Sequence, residues 1–204
     1  MQHLYIVTDG EFDGPTPGAH SMLSFASVAV SASGAILGEF QAVLEPLDGA
    51  GRDATTMAFW HDHPQAWAAA TTDPEPAEAV MRRFVGWVGS FGAEPIFAAH
   101  PVALDGPWLD YYLKRFTGRQ LLEGPWVPDR LFRHPPLCLM SMVAGRTGWD
   151  HWQCDVRHYP QDWLGTIAHT HSAIDDARGY AALLGALITG RVPHDAPPPR
   201  GRAV

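Results

Sequence analysis

Apolar and polar positions along the chain predict strands first and a mixture of strands and helices afterwards. Leu4-Tyr5-Ile6-Val7 is a short apolar run that empties into Thr8-Asp9-Gly10-Glu11, the pattern of a buried strand with acids at its exit. Residues 21–30 and 36–44 read as two further strands, with Ser33-Gly34 as the turn between them, so the first 44 residues predict a three-stranded antiparallel meander. Residues 45–76 are irregular, rich in Gly, Asp, Thr and Pro, and carry the aromatic patch Phe59-Trp60-His61-Asp62-His63. Asp73-Pro74 supplies an expected N-cap and first-turn proline. Ala77, Val80, Met81, Phe84, Val88 and Phe91 then recur at three- and four-residue steps, one apolar face of a helix that Gly92 should end. Residues 95–99 form another short strand, and a helix is expected from Pro107 to Phe116 with Gly118 behind it. Residues 137–144 favour helix, and residues 173–189 form a final Ala/Leu-rich helix. The fold class that follows is α/β, a mixed sheet in which the meander is joined by parallel strands and flanked by helices.

Length and composition narrow this picture. At 204 residues with 46% hydrophobic and 18% charged residues, the chain has material for one core and too little charge for a disordered polymer. Residues 1–192 are expected to form a single domain and residues 193–204, rich in Pro, a flexible tail. No apolar run approaches the roughly 18–20 residues of a membrane helix, and the first residues lack the basic region and cleavage site of a signal peptide. Two cysteines, Cys138 and Cys154, are too few for a disulfide framework. The expectation is a cytoplasmic protein with no membrane partner. A net charge of −8 counts against a role that coats long nucleic acid, because such affinity grows with each phosphate neutralised. It leaves room for an enzyme that grips a few nucleotides, since divalent cations reverse the sign of a carboxylate-rich pocket.

Asp9 and Glu11 lie two apart in a strand and therefore project from one face. Two neighbouring carboxylates repel unless a cation lies between them, and hard oxygen ligands suit a divalent one; exposed turn acids are the ordinary alternative. Asp105 follows the strand at 95–99, where helix capping is the usual role. His171 and Asp176 are five apart at the opening of the last helix, so both reach its N-terminal end. Each feature is weak alone, but their order along the chain is not.

Thr8-Asp9-Gly10-Glu11, the segment from Ala99 to Asp105 with its His100-Pro101-Val102-Ala103-Leu104-Asp105, and His171-Ser172-Ala173-Ile174-Asp175-Asp176-Ala177 come in the order of three motifs. In these the chain resembles the DEDDh 3′-5′ exonuclease family, over roughly residues 4–189. The resemblance implies a ribonuclease H-like fold. It implies a metal-dependent 3′-5′ exonuclease that hydrolyses phosphodiester bonds at the 3′ end of single-stranded or short RNA or DNA and releases nucleoside 5′-monophosphates. Two Mg²⁺ ions, with Mn²⁺ as a substitute, would be held by Asp9, Glu11, Asp105 and Asp176. Asp9 would touch both, Glu11 and Asp176 would complete one site, and Asp105 would support the other. His171 would be the general base; Asp175 is the rival of Asp176 for the ligand position. Phe12, Trp60 and His100 would contact substrate; Phe12, Trp60 and Trp67 are candidates for stacking on bases, with core or loop packing as the open alternative for each. Homodimers are common in the family, so a homodimer is among the implied assemblies.

Two departures stand out. The Thr-Thr-Gly that often follows the first Glu is Phe12-Asp13-Gly14, and the usual Asn and Phe of the second motif are Pro101 and Leu104. Two rival readings remain: a non-catalytic nucleic-acid-binding module on the same fold, and a zinc hydrolase built from His61, His63, His169 and His171.

Overall fold

The computed structural model describes residues 3–199. A five-stranded sheet runs through the molecule, composed of β1 (His3–Phe12), β2 (Met22–Ser31), β3 (Ile36–Val43), β4 (Glu94–Ala99) and β5 (Leu137–Cys138). Its strand order is β3-β2-β1-β4-β5; β1, β2 and β3 are antiparallel neighbours, and β4 and β5 continue parallel to β1. This is the expected meander extended by parallel strands.

Side-chain alternation divides the sheet into two faces, each with its own core. Leu4, Ile6, Phe25 and Ala29 face α3 (Ala77–Gly89) and α4 (Val102–Thr117), where Phe84, Trp108 and Tyr112 are buried. Val7, Ala26, Val28 and Val30 face α5 (Leu139–Thr147) and α6 (Ala173–Ile188). Every residue of β2 is buried, as befits a strand with helices on one or both faces along its length.

Several boundaries differ from expectation. The stretch 45–76 contains α1 (Ala54–Asp62) and α2 (Pro64–Thr71) rather than irregular chain only; Asp53 caps α1 by accepting from the Thr56 amide, and Pro64 opens α2. Asp73 is no N-cap: it takes a left-handed conformation (φ 52°), and the helix begins after Pro76. α4 starts at Val102, five residues earlier than Pro107, because Pro101 already provides the extended residue before it. Residues 137–138 pair with β4 before α5 begins. From 151 to 164 the chain forms three short 3₁₀ turns that no periodicity announced. Of the segment expected to be a flexible tail, 193–199 is described; Ala196 is buried and its carbonyl accepts from the Trp149 indole N–H at 2.7 Å. Residues 200–204 lie outside the described residues. Among the described residues no helix is long and apolar enough to cross a membrane.

Candidate active site

The strand periodicity of β1 sets the site. Asp9 and Glu11 share the face of Val7 and so point toward the α6 side, where Asp176 arrives in the first turn of the helix. Carboxylate oxygens of Asp9, Glu11 and Asp176 lie within 4.8 Å of one another. Gly10 belongs to the opposite face, toward α4, and its amide donates to Asp105 Oδ1 at 3.1 Å. The four acids thus meet at the C-terminal end of β1, three from one side of the strand and one from the other.

Electrostatics reports the same meeting. Burial pushes the Asp9 carboxyl well above the ordinary range, and the charges of Asp105, Glu11 and Asp176 push it further. Glu11 is raised by burial and then by Asp176 and Asp105. Asp105 is only 3% exposed, and burial lifts it to about 8. Its second oxygen, Oδ2, is buried with no hydrogen-bond partner among the described residues. A buried carboxylate oxygen left without a donor is costly. Among the described residues no Lys or Arg forms an ion pair with any of these four acids. The donor set is all carboxylate oxygen, which fits hard divalent cations.

Asp176 is the most constrained of the four. Its Oδ1 accepts from the Thr170 amide at 3.0 Å and meets His169 Nδ1 at 2.9 Å; its Oδ2 accepts from the His171 amide at 3.1 Å. Asp175 points elsewhere, toward Arg178 and Thr170, with its side chain 39% exposed. The geometry therefore places Asp176, and not Asp175, beside Asp9 and Glu11. The hydrogen bond from His171 requires the chain to turn sharply there, and His171 adopts a left-handed conformation (φ 57°), a strained state for a non-glycine residue.

The His171 ring sits half-buried among Phe59, His63 and His169, with ring centres 5.0, 5.1 and 4.6 Å away. Burial lowers its pKa, and the neighbouring His169 lowers it further, which favours the neutral imidazole. His169 is shifted upward by its hydrogen bond to Asp176. His169, Phe59 and His63 were not singled out as parts of the acidic site. The His-x-His spacing of 169–171 was a usable signal for the first; nothing in the sequence ties α1 to the last helix.

Two expected substrate contacts are corrected. Trp60 is 3% exposed and offers no face to a base; its indole N–H donates to the Phe12 carbonyl at 2.9 Å, so it braces the end of β1. His100 is buried too, hydrogen-bonded through Nε2 to the Tyr159 hydroxyl at 2.7 Å and stacked on Tyr180. Phe12 is half-buried, with one face stacked on Trp108 at 4.3 Å. The departure at Asp13 also has a structural reason. Its carboxylate accepts from the Ser21 amide, and the Asp13 amide donates to the Ser21 carbonyl, closing the loop between β1 and β2. The zinc alternative finds part of its set: His169, His171 and Asp176 present ligand atoms within 4.8 Å, but among the described residues neither His61 nor His63 joins such a group.

No family model and no curated protein matches the chain. Solved structures do. It is similar to a 3′-exonuclease in a structure of 3′-end-specific recognition of a histone mRNA stem-loop, with TM-score 0.61 and 10% identity over 91% of this chain and 81% of that one. It is similar to the nuclease domain of a DEDDh family member bound to rAMP, with TM-score 0.60 and 10% identity over 92% and 91%. It is also similar to E. coli exonuclease I in complex with a dT13 oligonucleotide, with TM-score 0.64 and 15% identity over 93% of this chain but 41% of that one. The chain thus spans less than half of exonuclease I. What the chain shares with these structures is the α/β fold.

Proposed function

We propose that this chain is a divalent-metal-dependent 3′-5′ exonuclease that removes nucleoside 5′-monophosphates from single-stranded or short nucleic acid. The observation that carries the reading is the convergence of Asp9, Glu11 and Asp176 within 4.8 Å, beside an Asp105 oxygen that is buried and unpartnered. Carboxylates crowded in this way, with no Lys or Arg paired to them among the described residues and only His169 on Asp176, suit a pair of cations.

Asp9 would contact both ions, Glu11 and Asp176 one of them, and Asp105 the other. When bound, Mg²⁺ or Mn²⁺ supplies Lewis-acid stabilisation of the scissile phosphate and of the leaving 3′-oxygen. The chain's own residues do the remainder. His171, kept neutral by its half-buried setting, accepts a proton from the attacking water, for which a histidine near the operating pH is well suited. His169 and the amides of Thr170 and His171 orient Asp176. Phe12, half-buried at the end of β1, would contact the terminal nucleotide.

The test is a set of 5′-labelled and 3′-labelled RNA and DNA oligomers with Mg²⁺ or Mn²⁺. The 3′ label should leave at once as a mononucleotide, while the 5′-labelled strand shortens stepwise, and both should stop in EDTA. Binding without cleavage would favour the non-catalytic module. Cleavage that survives Asp9→Ala would favour the histidine-based zinc hydrolase.

A further inference from the structure

At the opposite end of β1 from the acids lies a second group of metal-ligating side chains. His3 and Glu94 are direct cross-strand partners in the parallel pairing of β1 and β4, so their side chains leave the same face side by side. His134 joins them from the segment leading into β5, which is fastened next to β4 by a hydrogen bond from the Arg133 amide to the Pro95 carbonyl. Ligand atoms of all three residues fall within 4.8 Å of one another.

We propose that His3, Glu94 and His134 form a Zn²⁺ site that ties together the starts of β1 and β4 and the approach to β5. Two imidazoles and one carboxylate make a borderline donor set, which suits Zn²⁺ and disfavours Mg²⁺. Zinc–ligand bonds of about 2.0–2.1 Å in a tetrahedral arrangement put neighbouring ligand atoms about 3.3 Å apart. His134 Nε2 and Glu94 Oε2, at 3.5 Å, already have nearly this separation. The same His134 Nε2 is buried and, among the described residues, makes no hydrogen bond, with only the Glu94 carboxylate facing it at 3.5 Å. The His3 and His134 rings meet edge to face at 5.5 Å, which brings both imidazoles to one space instead of turning them apart. Arg133 Nε stands 4.0 Å from Glu94 Oε1, a long ion-pair contact with the other oxygen of the carboxylate. Three protein ligands leave one position for water.

Six residue steps of strand separate His3 from Asp9, about 20 Å at the rise of a β-strand, so the two sites are independent. The inference therefore does not depend on the nuclease reading. Its consequence is local: the ion joins the first residues of β1 and β4 to the segment that leads into β5.

The test uses the full chain, stripped with chelator, dialysed against Zn²⁺ and analysed for bound metal and thermal unfolding, beside His134→Ala and Glu94→Gln. The native chain should retain one more equivalent of Zn²⁺ than either variant and gain more in Tm from Zn²⁺. With Co²⁺ as probe, a visible absorption of tetrahedral type should be lost in both variants. In EDTA the Glu94→Gln chain should unfold close to the native temperature, and oligonucleotide cleavage with Mg²⁺ should be unchanged in both. Equal zinc content and equal Tm gain in the native and variant chains would overturn the proposal. So would a stability loss in Glu94→Gln that is the same with and without Zn²⁺, which is the mark of a plain Glu94–His134 ion pair.

Discussion

Replacing Asp105 by Asn should make the ion-free protein more stable while removing part of its response to metal. Asp105 is 3% exposed, accepts one backbone hydrogen bond from Gly10, and leaves Oδ2 unpaired. Burial raises its carboxyl to about 8, against an ordinary value near 3.9 for an unfolded chain. At pH 7 the unfolded chain ionises this group freely while the folded one holds it mostly protonated. About three pH units separate 3.9 from 7, and at 1.36 kcal/mol per unit the folded state forfeits at most about 4 kcal/mol. Asn is neutral in both states and keeps the Gly10 hydrogen bond through its own oxygen. In EDTA at pH 7, Asp105→Asn should therefore raise the Tm by several degrees, since each kcal/mol moves a domain of this size by about 2–4 °C. Because the folded pKa is the higher one, the aspartate's handicap is absent below about pH 4 and grows as pH rises toward 8. The gap between variant and parent should follow that course. Mg²⁺ or Mn²⁺ should raise the Tm of the parent more than that of the variant. Differential scanning calorimetry at several pH values, with and without metal, reads all of this. A variant less stable than its parent in EDTA at pH 7, or one that gains as much from metal, would refute the reasoning.

Three further outcomes follow from the same geometry. His171→Ala should lower kcat by about 10²-fold or more, the usual contribution of a general base, with the folded structure intact by circular dichroism; near-native turnover would remove His171 from the chemistry. Asp176→Asn should abolish cleavage while Asp175→Asn keeps most of it, because Asp176 is held inside the acidic group and Asp175 faces Arg178; the reverse pattern in a steady-state assay would reassign the ligand. His100 is buried and its pKa is depressed to about 4, so its folded form stays neutral while the unfolded chain takes up a proton near 6.5. Its contribution is whole above about pH 6.5 and declines by up to about 3 kcal/mol as pH falls toward 4. Urea melts of His100→Gln should lack that part of the pH dependence, and an identical slope in parent and variant would contradict it.

What could be read from the sequence depended on how local the determinant was. The i, i+2 geometry of a strand put Asp9 and Glu11 on one face, and β1 does carry them there, although it runs on through the acids to Phe12. The three ordered motifs brought in Asp105 and Asp176 from segments far away in the chain. α1 and α2 were missed because their residues carry no sustained apolar stripe, and both are short. Prolines misled in two places: Pro107 sits inside α4 while Pro101 precedes it, and Pro76, not Asp73-Pro74, stands before α3. Trp60 and His100 show a different limit. Residue type suggests that an aromatic or histidine can touch substrate, but only the packing reveals that Trp60 serves the Phe12 carbonyl and His100 the Tyr159 hydroxyl. The fastening of Asp176 by His169 is likewise a tertiary fact.

Crystals grown or soaked with Mn²⁺ and measured near the manganese absorption edge would test the four-acid site most directly. The account predicts an anomalous peak among the oxygens of Asp9, Glu11 and Asp176, and another at the buried Oδ2 of Asp105. A map with full occupancy of protein and no manganese beside any of the four carboxylates would contradict it.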